Sequence, residues 1–114
     1  MKNLFFILVV LAAFTLKTSV QAQKVYSVSY ESQADVKVFV VSYESQADLK
    51  VYKEQYESNA SGNEGKWFFT DYESQASKKI FFEQYESNAD LKIFFVDYES
   101  QAGWNNSSKQ QLMY

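Results

Sequence analysis

The stretch KVFVVSYESQADL at residues 37–49 decides the fold, because the chain repeats it six times with small changes. The central string of each copy, Tyr-Glu-Ser-Gln/Asn-Ala, starts at Tyr30, Tyr43, Tyr56, Tyr72, Tyr85 and Tyr98. Successive copies start 13, 13, 16, 13 and 13 residues apart. A period this regular indicates that one small structural unit is used repeatedly.

The first seven positions of the unit predict a β-strand, because they are rich in β-branched and aromatic residues. Side chains alternate between the two faces of a strand, so Phe39, Val41 and Tyr43 share one face in the second copy. The opposite face begins at the position held by Val25, Val38, Val51, Trp67, Ile80 and Ile93. Both faces are largely apolar, which indicates a sheet that is covered on both sides over part of its area. We therefore expect the six recurring Tyr and the Ala of each copy to be interior structural positions.

The connector Glu-Ser-Gln-Ala-Asp-Leu lacks Gly and Pro, so it does not predict a tight hairpin turn. Its Ser45-x-x-Asp48 spacing is that of a helix N-terminal cap, and the spacing recurs at residues 32–35 and 87–90. We predict a single helical turn that is closed by the Ser hydroxyl. Because 13 is an odd number, a fully extended chain would turn Tyr to opposite faces in successive copies. The connector must therefore reset the alternation.

Two charged positions recur in every copy. The strands open with Lys24, Lys37, Lys50, Lys66, Lys79 and Lys92. They close with Glu31, Glu44, Glu57, Glu73, Glu86 and Glu99. Opposite charges at matching strand ends predict cross-strand ion pairs, each worth roughly 0.2–1 kcal/mol where exposed. The alternative is a ring of carboxylates that collects Ca²⁺, which the equal number of Lys at similar depth disfavours.

Residues 1–22 have the pattern of a secretory signal peptide. Lys2 gives a basic start, residues 4–14 form an unbroken apolar run, and residues 20–22 offer a cleavage position. The run is too short to span a bilayer as a stable helix, and a retained N-terminal anchor is the alternative. We expect cleavage after Ala22 and a secreted or periplasmic protein that begins at Gln23.

Composition limits the classes of partner. Removing 22 of 114 residues leaves 92, enough for one small domain with a thin core, to which we assign residues 23–104, followed by the tail. Removing Lys2 and Lys17 from 11 basic residues leaves 9 against 14 acidic ones, a net charge near −5. Nucleic acid is therefore not expected as a partner, because phosphate neutralisation requires basic side chains. A membrane partner after cleavage is not expected either. The absence of Cys excludes disulfides.

Most catalytic chemistry is excluded by residue type. The chain has no His and no Cys, which removes Ser-His-Asp and Cys-His catalysis, zinc sites and thiol redox chemistry. No Gly-rich phosphate loop is present, and we expect no cofactor, no metal and no catalytic residue. A carboxylate pair that acts on a glycosidic bond stays open. Glu54 and Glu83 are its best candidates, because each replaces an apolar residue on the Tyr face. A half-buried position at mid-strand is the favoured interpretation of both.

Function is expected where the repeat is broken, since a residue present in all six copies belongs to the scaffold. Residues 61–65 add three residues with two Gly, which predicts a surface loop between two sets of three copies. Copies four to six carry a surplus of aromatic residues. The candidate ligand or partner surface is Trp67, Phe69, Phe82 and Phe95. We expect Trp104 to pack on the last repeat, and the polar tail at residues 105–114 to be disordered over residues 105–111.

The repeat resembles the Septknot family, small bacterial proteins of uncharacterised function with 13-residue units of the YESQAD type. The resemblance covers Lys24 to Trp104. Departures include Glu54-Gln55 and Glu83-Gln84 at strand ends, and Ser77-Lys78 in place of Asp-Leu. It implies an all-β toroidal domain whose chain winds twice around a common ring and forms a deep torus knot. Two laps of three copies place copy one beside four, two beside five and three beside six, with the insertion at the lap boundary.

Two unknotted arrangements of the six strand-plus-one-turn repeats are alternatives to this fold. One is a six-stranded antiparallel barrel, and the other is a short solenoid with 26-residue coils. For function we expect an exported structural or protein-interaction module without catalytic activity, with a homodimer or another protein as partner. An extracellular carbohydrate- or peptide-binding protein that uses exposed aromatic residues is the alternative, and a carboxylate-dependent hydrolase is third.

Overall fold

The computed structural model describes residues 23–60 and 62–114, so the predicted signal peptide at residues 1–22 lies outside the described residues, as does Ser61. Each copy of the repeat contributes one strand. The strands are β1 (Lys24–Ser27), β2 (Val36–Val40), β3 (Leu49–Lys53), β4 (Lys66–Phe69), β5 (Lys78–Phe82) and β6 (Leu91–Phe95). A 3₁₀ turn of three residues follows each strand: η1 (Glu31–Gln33), η2 (Glu44–Gln46), η3 (Glu57–Asn59), η4 (Glu73–Gln75), η5 (Glu86–Asn88) and η6 (Glu99–Gln101).

Within the described residues, the six strands form a closed, all-parallel barrel in the order β4-β1-β5-β2-β6-β3, with β3 returning to β4. The predicted neighbours three copies apart are confirmed, since β1 pairs with β4, β2 with β5 and β3 with β6. The antiparallel barrel is wrong because these pairings are parallel. The solenoid is wrong as well, because it stacks copies two apart and these copies do not pair.

The strand order shows how one chain fills the barrel in two laps. Successive strands of a lap lie two positions apart, so β1 to β3 complete one circuit and leave alternate positions empty. Another step of two would return the chain to β1. The chain instead places β4 directly beside β3, and this single step moves it into the empty positions. The interruption at residues 61–65 stands at that step, which accounts for the one longer spacing.

A strong stagger between neighbours allows short connectors to join parallel strands. Ser27 of β1 pairs with Ile80 of β5, and the same Ile80 pairs with Val36, the first residue of β2. Each strand therefore begins beside the middle of its neighbour, and the strands are steeply tilted around the barrel. Parallel strands otherwise need a crossover of a dozen or more residues. Here the next strand in the lap starts close to where the previous one ends.

The barrel interior is built from the strand face opposite the recurring tyrosines. Its central layer consists of fully buried side chains, Val25, Val38, Val51, Trp67, Ile80 and Ile93. Val36, Leu49 and Leu91, two residues earlier on the same face, are buried against them. The sequence predicted apolar character on both faces and did not identify this face as the barrel interior.

The prediction that the recurring tyrosines are interior is wrong, because their side chains are 65–69% exposed. Each strand ends before its tyrosine, and Tyr30, for example, is the extended residue that precedes the turn η1. No neighbouring strand covers a side chain beyond the end of the ladder. The alanines fit the prediction better: Ala47 and Ala60 are buried, and the other four are half-buried.

The predicted single helical turn is confirmed, but the Ser hydroxyl does not close it. The tyrosine takes the cap position and makes no side-chain cap bond. The Asp of the motif instead bonds to the other lap: the Asp35 carboxylate accepts the Lys79 backbone N–H at 2.9 Å, and Asp90 accepts that of Lys37 at 3.0 Å. Ser77 replaces Asp in the fourth copy, and its hydroxyl accepts the Lys24 N–H at 3.1 Å. This position therefore ties the two laps together.

The recurring charges form ion pairs across the turn that joins consecutive copies. These contacts are not the predicted pairs between adjacent strands, because β5 lies between β1 and β2. In the first lap, Glu31 pairs with Lys37 and Glu44 pairs with Lys50 at 3.6 and 3.5 Å. The second lap repeats them as Glu73–Lys79 and Glu86–Lys92, both at 3.7 Å. These contacts stand at the joint between one strand and the next strand of the same lap.

The tail covers the end of the barrel at which the strands begin. Trp104, in a short strand β7 (Gly103–Trp104), pairs antiparallel with β3 rather than packing on the last repeat. A final 3₁₀ helix, η7 (Ser107–Met113), buries Met113 in the core, so the expected disorder is wrong. The contact with the core is made by Leu112 and Met113, which follow the polar residues 105–111. The polar composition of that segment gave no indication of this contact.

Residues 62–65, the described part of the predicted surface loop, are less exposed than such a loop should be. Asn63 and Gly65 are buried. The Asn63 carbonyl accepts the Trp104 indole N–H at 2.7 Å, and its side-chain amide donates to Gln110 at 2.8 Å. The loop therefore holds the tail in place. None of the helices in the described part of the chain has the length and apolarity that crossing a bilayer requires.

Candidate binding surface at the barrel mouth

The end of the barrel at which the strands finish presents a layer of partly exposed side chains. This layer, here named the mouth, consists of Ser27, Val40, Lys53, Phe69, Phe82 and Phe95. Each residue stands two positions after the central core layer on the same face of its strand. The opposite end is covered by the tail. The mouth is therefore the end where inward-facing side chains reach solvent.

The two laps contribute different residue types to the mouth. The second lap supplies the three Phe, and the first lap supplies Ser27, Val40 and Lys53. Because the laps interleave, the order around the mouth alternates: Phe69, Ser27, Phe82, Val40, Phe95, Lys53. The aromatic surplus that is spread over copies four to six in the sequence is gathered at one place in the structure.

The three Phe rings contact one another across the smaller residues between them. Phe69 and Phe82 have centroids 6.5 Å apart with planes 17° from parallel. Phe69 and Phe95 have centroids 6.4 Å apart at 52°. Phe82 and Val40 remain 36% and 42% exposed. The result is an apolar surface supported from below by the core, which is the type of patch that marks an interaction site.

Lys53 places a positive charge on this apolar surface. Its ammonium lies 4.4 Å from the centroid of Phe95 and 5.6 Å from that of Phe69, within cation–π range. Unlike the Lys that open the strands, Lys53 has no ion pair among residues 23–60 and 62–114. The candidate surface predicted from the sequence did not include Lys53 or Val40. Their shared register with Phe82 and Phe95 was the signal that they belong to it.

Trp67 does not belong to the candidate surface, which corrects the prediction. Its side chain is fully buried in the central core layer, with its ring 6.1 Å from that of Phe69 in an edge-on contact at 63°. Its register in the repeat is that of Val38 and Ile80, so burial follows from position. Trp67 supports the mouth from beneath and does not contact solvent.

Glu54 and Glu83 are not brought together. Their strands, β3 and β5, lie three positions apart in the six-stranded order, on opposite sides of the barrel. Burial and the nearby Glu99 carboxylate raise the pKa of Glu54, although Lys66 acts in the opposite direction. Burial and Glu31 raise the pKa of Glu83 in the same way. The two carboxylates therefore do not form a single glycosidase site.

Glu54 is more buried than the half-buried position that the sequence indicated. It is 7% exposed, whereas Glu83 is half-buried. The recurring Glu side chains that follow the strands are paired with lysines. Within the described ranges, no group of three acidic side chains lies close enough to hold a metal ion.

The comparisons with known proteins agree with the architecture. A family model described as the 7(1) septoil knot domain matches residues 22–105, most of the chain. No curated protein and no solved structure matches the chain.

Proposed function

The chain belongs to the septoil knot domain family, and on that premise we propose that it is a non-catalytic interaction module that binds a protein partner at the mouth. The observation that carries the proposal is the convergence of Phe69, Phe82 and Phe95 with the unpaired cation of Lys53. The scaffold does not require these residues, because Ser27 and Val40 hold the same register in the first lap. Three Phe at a solvent-facing layer expose apolar area that a partner can bury.

The size of the mouth favours a short segment over a globular face. The mouth is surrounded by exposed polar side chains two residues further along each copy: Ser29, Ser42, Gln55, Asp71, Gln84 and Asp97. The two sets together are about half of the roughly 20–30 residues that one side of a standard protein–protein interface contains. An extended peptide with one apolar anchor matches this area.

The chemistry of the mouth specifies the peptide further. An apolar side chain would pack on Phe82 and Val40, which keep the largest exposed fractions of the apolar mouth residues. A carboxylate next to that side chain would pair with Lys53, whose charge has no acidic partner in the described chain. We therefore propose a peptide with a large apolar residue flanked by Asp, Glu or a free C-terminus.

Fluorescence polarisation with labelled peptides tests this proposal. Peptides that contain Leu or Phe next to Asp should bind, and matched peptides with Lys in place of Asp should bind at least about tenfold more weakly, a difference of ~1.4 kcal/mol. Phe82→Ser should abolish binding, and Lys53→Glu should invert the charge preference.

Phe39→Ser is a control on the outer face of β2, where a half-buried Phe lies away from the mouth. Equal binding of both peptide classes, or binding that Phe82→Ser leaves unchanged, contradicts the proposal. Sedimentation of the free protein decides whether a second copy of the chain is the partner. In that case a concentration-dependent dimer forms, and Phe82→Ser makes it monomeric.

We also infer that the chain is knotted. The inference is supported by the family description and by the interleaved order, in which strands of the second lap lie between strands of the first. True knots are rare among proteins, so the inference requires its own test, which compares closed chains in denaturant.

Export is a further proposal, supported by the charged start, apolar run and cleavage position of residues 1–22. N-terminal sequencing of protein recovered outside the cytoplasm should begin at Gln23. An uncleaved Met1 in that fraction would contradict it.

A further inference from the structure

The six recurring tyrosines form a belt around the outside of the barrel. The tyrosine belt is Tyr30, Tyr43, Tyr56, Tyr72, Tyr85 and Tyr98, each at the equivalent position of its copy. Their side chains are 65–69% exposed, a spread so narrow that the six sites are nearly identical. Their repetition in all six copies predicted a structural role. A side chain with a structural role is expected to be buried or hydrogen-bonded, and these side chains are largely exposed.

Nothing in the fold accounts for tyrosine at these positions. The backbone of Tyr43, at φ −127° and ψ 136°, is ordinary extended chain that any residue adopts. The first five make no side-chain cap to their turns. The sixth turn has a capping box in which the backbone N–H of Tyr98 donates to the Gln101 side-chain oxygen at 3.3 Å, a bond that does not require a tyrosine side chain. Within residues 23–60 and 62–114, none of the six rings stacks on another aromatic ring. The carbonyl of Tyr30 accepts the Gln33 N–H, which again requires no particular side chain.

The surroundings of each tyrosine are polar, and the Glu that follows it is charge-paired in every copy. The Ser and the Gln or Asn that follow it are exposed in every copy, as Ser45 and Gln46 show for the second. The intervening Glu is paired with a Lys, as Glu44 is with Lys50. Each site therefore combines one flat aromatic ring, one hydroxyl and one amide. The first-lap tyrosines Tyr30, Tyr43 and Tyr56 follow a neutral residue, whereas Tyr72 and Tyr98 follow an exposed Asp.

We propose that the tyrosine belt is a multivalent binding site for a neutral polysaccharide. A Tyr ring offers a flat apolar face to the C–H face of a sugar and a hydroxyl at its edge, while Ser and Gln or Asn donate and accept hydrogen bonds with sugar hydroxyls. Six equivalent weak sites suit a ligand that is itself repetitive, because linked sites multiply affinity without new contacts. The net negative charge of the chain repels polyanions. The belt shares no residue with the mouth, although each tyrosine follows one of the polar residues that surround the mouth.

Affinity electrophoresis of the purified protein in gels that contain mixed-linkage β-glucan, a soluble neutral polysaccharide, tests the proposal. The protein should be retarded by β-glucan and not by polygalacturonate, a polymer of charged sugars. Replacing the first-lap tyrosines by Ser (Tyr30, Tyr43 and Tyr56) should weaken polymer binding by about tenfold or more through lost avidity. Replacing all six should abolish it.

Two control variants distinguish ring stacking at the belt from binding elsewhere on the protein. Phe at the same three positions keeps the ring face and should retain most of the binding. Phe82→Ser alters the mouth and should leave binding to β-glucan unchanged, so the belt and the mouth can fail independently. Thermal melting checks that the three-residue Ser variant is folded. We expect it to fold, because the replaced tyrosines are about two-thirds exposed and lie outside the core. Absence of retardation by β-glucan, preference for polygalacturonate, or unchanged binding in the folded three-Ser variant would overturn the proposal.

Discussion

Lys24, which begins the first strand, forms an ion pair with Glu57, which begins the turn after the third strand. Lys66 and Glu99 repeat this relationship in the second lap, at 3.7 Å. The first pair joins the two ends of the first lap, and the second pair joins the ends of the second. The contact that connects consecutive copies therefore also closes each lap on itself.

A double-mutant cycle measures whether the first lap is closed in this way. Lys24→Met and Glu57→Gln should show a coupling free energy of about 0.2–1 kcal/mol, because both side chains are partly exposed. The coupling should decrease as salt is added. The same cycle on Lys37 and Glu31, which are consecutive in the lap, should give a similar value. Coupling in the second cycle with none in the first would contradict closure of the lap.

Gly65 is required by a close approach between the laps. Its φ is +85°, and a Cβ at this position would overlap the backbone carbonyl oxygen of Lys50. We expect Gly65→Ala to destabilise the protein by at least about 3 kcal/mol, since left-handed strain adds to a backbone clash. Gly62 is the control, because it also has a positive φ, +64°, and open space around it. Gly62→Ala should cost only about 1–2 kcal/mol. Similar costs for both variants, measured by chemical denaturation, would contradict the close approach.

Glu54 should make the protein less stable as the pH rises. Burial and the nearby Glu99 raise its pKa above the ordinary value, so the folded state holds the proton more tightly than the unfolded state. The stabilisation from this bound proton is fully present when the pH is below the pKa of Glu54 in the unfolded chain. It is lost as the pH rises through the higher pKa of Glu54 in the folded protein. Glu54→Gln should therefore melt at a higher temperature than wild type at pH 7 and show a flatter profile between pH 4 and 7. Glu64→Gln, at an exposed carboxylate, is the control. A steeper loss of stability with rising pH in Glu54→Gln would contradict this account.

Asp48 should have the opposite effect. Burial alone would raise its pKa, but the Lys92 backbone N–H, the Asn106 amide and the Lys109 ammonium together lower it. The ionised Asp48 therefore stabilises the folded protein when the pH is above the pKa that Asp48 has in the unfolded chain. This stabilisation is lost as the pH falls through the lower pKa of Asp48 in the folded protein. Asp48→Asn should reduce the melting temperature at pH 7 and remove part of the acid-induced loss. The experiment also tests the tail, because Asp48 accepts the Asn106 amide at 3.3 Å and pairs with Lys109 at 3.4 Å.

Asp35→Asn is the matched control for Asp48. It occupies the same repeat position and accepts the Lys79 N–H, but it has no tail residue as a partner. A larger effect of Asp35→Asn than of Asp48→Asn would contradict the role given to the tail contacts.

The sequence was most informative where period and alternation act together. Alternation placed Val38 and Ile80 on the same strand face, although it did not show that this face is the interior. The pairing of copies three apart followed from the two laps that the family resemblance implies. The pairs β1–β5 and β2–β6 did not follow, because the direction of the stagger between strands depends on the tilt of the closed barrel. The sequence of a single copy does not determine the tilt of the strands.

The errors arose where side chains lie beyond the strands. Tyr30 continues the apolar alternation in the sequence, but the strand ends at Ser27, and alternation no longer predicts burial there. Trp67 was grouped with the surface Phe by residue type, although its register is that of Ile80. Met113 was hidden in a polar segment, because one apolar side chain can anchor a tail without a detectable pattern.

The chain circles the barrel twice, and we infer that it passes between its own strands and is knotted. The two ends of the described chain are adjacent, since the Gln23 amide donates to the Met113 carbonyl oxygen at 2.7 Å. The chain contains no Cys, so a Cys-Gly-Gly extension before Gln23 and a Gly-Gly-Cys extension after Tyr114 can be joined specifically. A disulfide formed in the folded protein traps any knot, whereas one formed in denaturant closes an unknotted ring.

The most direct measurement is the hydrodynamic radius of these two closed chains in concentrated guanidinium chloride. They have the same sequence and the same cross-link, so a difference in size reports the knot alone. The chain closed in the folded state should be more compact than the chain closed while unfolded, and reduction of the disulfide should make the two identical. Equal radii before reduction would contradict the knotted double winding.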